Sequence, residues 1–429
     1  MSKYKDFIFK DYSFDINSKT LKLYYSYDDM LEFCELYKFD FDYATYNPVE
    51  LDRAFQALFF MAGVSYYKAF LAHNIVLDKG LIDQPMAEFF SKTYQKGLGE
   101  FFYTNRLDPN FPVIFPATQA SLLDTSLAGR GLVVAIGGGK DSLVSVELLR
   151  SSGFEISTWS LGHKPQLEPL VKAIGLPHFW VERTWDRSLL ELNQSDAYNG
   201  HIPISAIFAC VGTVVAVLSG KRDVVFSNEN SANEPDLTYK GVSVNHQYSK
   251  SIEFEEGYQG YLGHTNHDIR YYSYLRPFSE VYIAEIFAHI GFDKYKGVFS
   301  SCNRAFTHDS NHIFWCGKCP KCAFTFLAFT PFIERSELEA IWHKNLLLDP
   351  ELEFTYSNLL GIAGDKPLDC VGEIKESRVA MRLAQTIYPE LLKYEFEIPE
   401  DYDYKEFNKN LMPKELVSQL KKVIASIKL

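Results

Sequence analysis

The chain has 429 residues, of which 47% are apolar, enough for two or three packed domain cores and too many for a disordered or fibrous polypeptide. A formal net charge of −12, a pI near 5.5 and the lack of a long basic run argue against a large nucleic-acid footprint and favour a small or peptide-like substrate. Residues 1–11 hold no uninterrupted apolar stretch of the signal-peptide kind, so a cytoplasmic chain is expected.

In chain order, residues 1–125 are rich in aromatics. Leu21–Tyr27 alternates as a strand does, Glu50–Met61 and Pro85–Gly97 read as helices, and the Asn/Asp/Pro-rich stretch 105–112 is a connector. We expect a separate α+β domain here, which either binds substrate or covers the site. From 126 to 330, strands near 132–136, 155–161, 178–182 and 223–227 alternate with helices near 141–151, 166–174 and 203–219. That order predicts βαβ units and a doubly wound parallel sheet, whose ligands bind beyond the carboxyl ends of the strands. Ile202–Gly220 carries no charge, but Pro203, Ser205, Gly212 and Thr213 and the short strand that follows predict a buried helix rather than a membrane span. Residues 331–429 read as a helical C-terminal region, with helices near 333–342 and 416–429. No chemistry is evident there, and Gly361–Pro367 reads as a plain connection, with a functional loop as the alternative. The aromatic residues are assigned to internal burial, and the oligomeric state stays open.

The most informative stretch is Val133-Val134-Ala135-Ile136-Gly137-Gly138-Gly139-Lys140-Asp141-Ser142, a buried strand that turns through three glycines into a helix. Glycines let backbone N–H groups approach an anion, and a helix N-terminus adds a favourable field, so the turn is built to hold phosphate. It fits neither G-x-x-x-x-G-K-[ST] nor G-x-G-x-x-G. It resembles the S-G-G-x-D-S loop of the N-type ATP pyrophosphatases, with Gly137 in place of the first serine. That resemblance implies an adenine nucleotide α-hydrolase-like fold and cleavage of ATP between its α- and β-phosphates, with Mg2+ alongside. It makes Gly137, Gly138, Gly139, Lys140, Asp141 and Ser142 candidate nucleotide ligands: Gly138, Gly139 and Ser142 by backbone and hydroxyl, Lys140 by charge, Asp141 through the metal or by fixing the loop. Asn228 and Glu229, in the polar turn Ser227–Glu234 after the strand near 223–227, are candidate pocket residues.

Cys302, Cys316, Cys319 and Cys322 place four of the seven cysteines within 21 residues. A tight C-x2-C-x2-C knuckle with a fourth thiol returned by a longer loop is metal-ligand spacing, and disulfides are not expected in a cytoplasmic chain. A structural Zn2+ is expected, with an iron–sulfur cluster or free thiols as the alternatives. With all four positions taken by protein, catalysis at the metal is not expected. Cys34, Cys210 and Cys370 read as ordinary buried thiols.

Six segments together carry a wider resemblance: Ala62–Ala69, Gly97–Phe101, Gly137–Ser142, Ser227–Glu234, Val244–Ser251 and Trp315–Cys322. In this order the chain resembles the UDP-N-acetylmuramoyl-L-alanyl-L-glutamate epimerase family (MurL) of peptidoglycan synthesis. The resemblance implies that ATP activates the α-carboxylate of the terminal L-glutamate of a UDP-sugar peptide as an acyl adenylate. The acidified α-proton then leaves and returns on the other face, and hydrolysis releases AMP and the D-glutamate form. Asp141, His246 and Lys250 are the catalytic candidates, with Tyr248, His264 and His267 as further candidates for proton transfer. His246 and Lys250 share a face if their segment is helical. Arg270, Arg276, Lys240 and Lys250 are candidates to meet substrate carboxylates or the diphosphate. The competing reading is an adenylating enzyme of the deazapurine nitrile synthase or tRNA-modifying kind, to which Tyr274–Ile283 ahead of the cysteines is similar. The long N-terminal region and the acidic balance stand against it. A non-enzymatic ATP-binding module is the third possibility.

Overall fold

The computed structural model describes residues 3–118, 129–266, 268–306 and 310–427. The boundary expected near residue 125 and the candidate base His267 lie outside the described residues.

Three strands open the chain, β1 (Asp6–Asp15), β2 (Thr20–Tyr27) and β3 (Leu31–Phe39), paired as an antiparallel meander. Their inward positions are largely aromatic, and Phe7, Phe9, Tyr25, Tyr27 and Tyr37 are fully buried. These rings pack on the helix Pro48–Ala62, which starts where Asn47 accepts a hydrogen bond from the Val49 N–H and Pro48 occupies the first turn. A short β4 (Asn74–Leu77) runs parallel to β1 at the sheet edge. The helix Gln84–Gly97 follows, capped by Asp83.

The strands expected beyond residue 130 are all present: β5 (Leu132–Ala135), β6 (Ile156–Leu161), β7 (His178–Thr184) and β8 (Asp223–Phe226). A hairpin of β9 (Leu237–Tyr239) and β10 (Val242–Val244) stands apart, and β11 (Arg270–Ser273) returns to the main sheet. Among the described residues the 9-stranded order is β11-β8-β5-β6-β7-β3-β2-β1-β4, with β11 through β7 mutually parallel. Where β3 meets β7 the pairing turns antiparallel, so the N-terminal meander extends the same sheet. A buried ion pair spans that seam, Arg183 Nε to Glu35 Oε1 at 2.6 Å.

Both faces of the parallel half are covered. Along β5, Val133 joins one core with the helix Ile204–Ser219, while Leu132 and Val134 join the other with the helices Lys140–Arg150, Glu280–Ile290 and Pro320–Phe329. This is why the strand reads as an unbroken apolar run. The uncharged segment is the buried helix that was expected. A Cβ on its Gly212 would lie 2.7 Å from Val224, so glycine lets the helix sit directly on the sheet. No helix of the described residues is long and apolar enough to cross a membrane. The C-terminal helices Ile374–Gln385 and Lys414–Ser426 complete the second core.

The strand order fixes where a ligand can sit. From β5 the chain winds outward to β6 and β7, then jumps back to place β8 on the other side of β5. The reversal opens a crevice beyond the carboxyl ends of β5 and β8, the usual ligand position in open α/β sheets.

Candidate active site

A cavity of about 570 Å³ occupies that crevice, a size typical of small-molecule sites. Gly137, Gly139, Asp141 and Ser142 border it from the turn after β5, Ser227, Asn228 and Glu229 from the turn after β8, and His246 and Lys250 from the loop after β10. The two turns singled out from sequence therefore meet across one chamber.

The glycine turn gives each glycine a different task. Gly138 has φ +94°, and its carbonyl accepts from the Ser300 N–H at 3.0 Å. A Cβ there would lie 2.6 Å from the Phe306 ring, whereas one on Gly137 would meet nothing within 4 Å. Gly139 leads into the 11-residue helix Lys140–Arg150, whose N-terminal field points at the cavity, and the Ser142 hydroxyl donates to the Gly139 carbonyl at 3.1 Å. The two substitutions should behave oppositely. Gly138→Ala is expected to lose about 1–2 kcal/mol to the left-handed backbone and about 1–3 kcal/mol to the ring contact. Gly137→Ser, which puts a hydroxyl into open space, should leave the urea midpoint unchanged. Equal midpoints for both would contradict this division of roles.

Lys140 does not border the cavity. Its buried ammonium lies 2.5 Å from Asp141 and closer still to Glu280, and Glu280 in turn is near Lys321 at 3.9 Å. Burial pulls the Lys140 ammonium down, but Asp141 and Glu280 outweigh it and hold the group protonated. Burial alone would raise the Asp141 carboxyl, yet Lys140, Lys321 and Lys250 keep it below its ordinary range. Besides Lys250, the cavity is bordered by Lys321, from within the cysteine knuckle, whose ammonium also donates to the Cys370 carbonyl.

His246 and Lys250 both border the chamber, although the segment is not an α-helix. His246 sits in a turn ahead of the short 3-10 turn Tyr248–Lys250. The His246 Nδ1 is hydrogen-bonded to Glu100, its ring lies 4.4 Å from the ring of His201, and its Nε2 is 3.8 Å from Cys370 Sγ. Lys250 Nζ donates to the same sulfur at 3.0 Å. Burial opposes a charged His246, but Cys370 and Glu100 outweigh it and push the imidazole up to about 10. For His201, burial and then the neighbouring His246 pull the value down to about 4, so this ring is neutral. Burial would raise the Cys370 thiol, yet Lys250, His246 and Lys321 bring it down to about 7.

The remaining candidates lie elsewhere. His264 pairs with Asp83, Arg270 with Asp223 and Glu415, and Lys240 with the Leu107 carbonyl. Arg276 is neither solvated nor in the cavity. It is fully buried, paired with Glu255 at 3.0 Å, and donates to the backbone carbonyls of Glu229 and Lys250. It thereby ties the turn after β8 to the loop that carries Lys250. Asn228 is fixed by donating to Ser273 Oγ at 2.9 Å.

The four cysteines converge. Cys302 and Cys319 Sγ are 4.0 Å apart, Cys316 and Cys322 Sγ 3.7 Å, and all four sulfurs lie within 4.8 Å of one another. Four thiolates around one tetrahedral ion at about 2.3 Å would have edges of about 3.8 Å, so the set matches a four-thiolate zinc site. It lies under the cavity floor, since Ser301 and Lys321, beside Cys302 and Cys322, both border the chamber.

Sequence reasoning missed Glu100, His201, Lys321, Asp369 and Cys370. Glu100 and Lys321 lie inside segments that carried the family resemblance, which was the available signal. Cys370 had none: residues beyond 331 showed no evident chemistry, yet Asp369 and Cys370 border the cavity. Within the stretch read as a plain connection, Lys366 is buried and pairs with Glu234.

A mixed α/β chain with a largely parallel sheet, and a ligand-sized chamber at its point of reversal stocked with titratable side chains, has the build of an enzyme. Residues 1–274 match the MurL N-terminal domain and residues 298–389 the MurL C-terminal domain. The chain is 40% identical over 377 residues to a protein of Xanthomonas oryzae pv. oryzae named UDP-N-acetyl-alpha-D-muramoyl-L-alanyl-L-glutamate epimerase, covering 86% of this chain and 80% of that protein. Proteins of the same name from Salinispora tropica and a Micromonospora species are 41% and 39% identical, each over 78% of this chain and over 73% and 75% of their own lengths. The chain belongs to the MurL family.

Proposed function

We propose that this protein inverts the terminal L-glutamate of UDP-N-acetylmuramoyl-L-alanyl-L-glutamate to D-glutamate in peptidoglycan synthesis, consuming ATP and releasing AMP and pyrophosphate. The similarity to three relatives named for this epimerase supports the substrate. The observation that carries the chemistry is the shared chamber: a phosphate-type turn and a cluster of proton-transfer groups border one cavity. Activation and proton removal then need no transfer of the substrate between sites. We further propose that the parallel half is of the N-type ATP pyrophosphatase kind and that the cysteines hold a structural Zn2+.

In this reading Gly137, Gly139 and Ser142 meet the triphosphate of ATP by backbone and hydroxyl, and Gly138 shapes the turn. Lys321 supplies a positive charge at the cavity, and Lys140 acts from beneath by holding Asp141 ionised. Asp141 would hold Mg2+, which neutralises phosphate charge. Adenylation removes the full negative charge of the α-carboxylate, so an enolate beside it is far less disfavoured. Donors near its oxygen, with Asn228 among the candidates, stabilise it further. His246 and Lys250 serve the proton transfer, and Arg276 keeps Lys250 in register through its carbonyl.

The test is incubation with ATP, Mg2+ and the L-glutamyl UDP-sugar peptide, followed by glutamate chirality and nucleotide analysis. D-glutamate with AMP is the expected outcome, with solvent deuterium at the α-carbon when the reaction is run in 2H2O. Retained L configuration without AMP would refute the proposal. An amide, nitrile or thio product would instead support the competing adenylating reading.

A further inference from the structure

Cys370 is a residue that neither its isolated position in the sequence nor the helical reading of residues 331–429 marked as functional. The residue borders the cavity, and its sulfur takes a hydrogen bond from Lys250 Nζ at 3.0 Å and faces His246 Nε2 at 3.8 Å. The other nitrogen of that imidazole is held by Glu100. The line Glu100, His246, Cys370 has the connectivity of an activated nucleophile or base: a carboxylate orients an imidazole, and the imidazole faces a thiol.

Resting on the epimerase reading above, we infer that Cys370 is the proton-transfer base for one face of the substrate α-carbon, kept as a thiolate by Lys250 and by the His246–Glu100 pair. Two observations favour the sulfur over its neighbours. Lys250 and His246 face the sulfur, and Lys321, on the Cys370 carbonyl, adds a positive charge nearby, so the sulfur's surroundings favour its negative charge. His246, raised to about 10, and Lys250, also raised, hold their protons at neutral pH, whereas Cys370, at about 7, readily loses its own. Geometry adds a constraint. Two groups that bracket one carbon, each about 3–3.5 Å from it, stand about 6–7 Å apart. Lys250 and His246 lie much nearer the sulfur than that, so all three serve the same face and the opposing donor comes from across the chamber.

The step balances as a proton transfer. The Cys370 thiolate takes the α-proton to form S–H, and the C–H electron pair moves into the carbonyl of the adenylated carboxyl. A donor on the opposite face then forms the new C–H bond. The S–H proton and the vacancy on that donor are exchanged with solvent before the next turnover.

Cys370→Ala and the nearly isosteric Cys370→Ser are compared with the unaltered protein in 2H2O. Inversion is expected to fall at least about 100-fold relative to AMP formation, the scale of a lost general base. Deuterium should then enter the α-carbon of only one of the two epimers, a readout that a merely structural loss would not give. Normal inversion by Cys370→Ala would overturn the assignment. So would an acid-stable acyl thioester on Cys370, which would make the residue an acyl carrier. A second arm needs no substrate. Iodoacetamide labelling of Cys370, followed by peptide mass spectrometry, should rise with pH through about 7 and shift upward in His246→Gln. A labelling midpoint at the ordinary thiol value in the unaltered protein would overturn the thiolate cluster. An activated thiol in a protein that makes neither AMP nor the D-epimer would defeat the epimerase reading and, with it, the base role. Normal AMP formation and inversion in Cys370→Ala would defeat the base role alone.

Discussion

A Cys322→Ser variant is expected to lose stoichiometric zinc and to unfold the C-terminal part of the molecule. Cys302 and Cys322 are both fully buried, and Cys322 lies in the first turn of the helix Pro320–Phe329, which packs in the same core as the helices Glu280–Ile290 and Ile374–Gln385. A structural zinc contributes apparent binding energy of about 10–16 kcal/mol, which is also folding energy, against a whole-domain stability of about 5–15 kcal/mol. Removing one thiolate therefore takes away more than local order. Elemental analysis should give one zinc per unaltered chain and almost none in the variant, and proteolysis should begin around 298–330 in the variant alone. Cys34→Ser, far from the cluster, should match the unaltered protein in both measurements. Wild-type metal content and melting temperature in Cys322→Ser would contradict the zinc assignment, and iron with a visible absorption band would replace it. Because Ser301 and Lys321 border the cavity, loss of the metal should abolish AMP formation as well.

The sequence was most legible where one physical constraint dominated. β5 and β8 are covered on both faces and so appear as short apolar runs, and β6, equally buried, carries only small hydroxyl residues between its apolar ones, which is why the parallel sheet was predictable within a residue or two at most ends. The glycine turn and the cysteine knuckle were legible because their spacing is imposed by an anion and by tetrahedral thiolates. β11 was not, because Arg270-Tyr271-Tyr272-Ser273 has the look of a polar loop. Its arginine is neutralised by Asp223 of the neighbouring strand, a partner 47 residues away. For the same reason Arg276 read as a candidate for substrate carboxylates or the diphosphate: its own carboxylate, Glu255, is brought to it only by folding. Glu100, His201, His246 and Cys370 come from four distant parts of the chain, and no local pattern joins them. The orientation of Lys140 likewise depends on Glu280, supplied by a helix 140 residues on.

That buried triad leads to the other large expected effect. In Lys140→Met, Asp141 and Glu280 lose the cation between them, and Glu280 is left almost wholly buried. Breaking a buried ion pair by removing one partner costs about 3–5 kcal/mol, because the surviving charge stays desolvated. The pH dependence follows from Glu280. Burial, with the nearby Asp141 charge, already raises its carboxyl above the ordinary value even though Lys140 and Lys321 pull it down, and without Lys140 it should rise further. A carboxyl whose folded value exceeds its unfolded value binds its proton more tightly in the folded state. It therefore penalises folding above the raised value, and the penalty fades as pH falls through it. Lys140→Met should accordingly lose most stability at neutral and alkaline pH and recover part of it toward acid. Lys140→Met/Glu280→Gln should be more stable at neutral pH than Lys140→Met alone, since the second change neutralises the orphaned charge. Equilibrium unfolding of the two single variants and the double variant across pH measures this coupling directly. A pH-independent loss in Lys140→Met, or strict additivity in the double variant, would show that the ammonium does not hold the two carboxylates together. AMP formation should fall in Lys140→Met even where the protein remains folded, because Asp141, at the edge of the cavity, then loses the charge that keeps it ionised and in place.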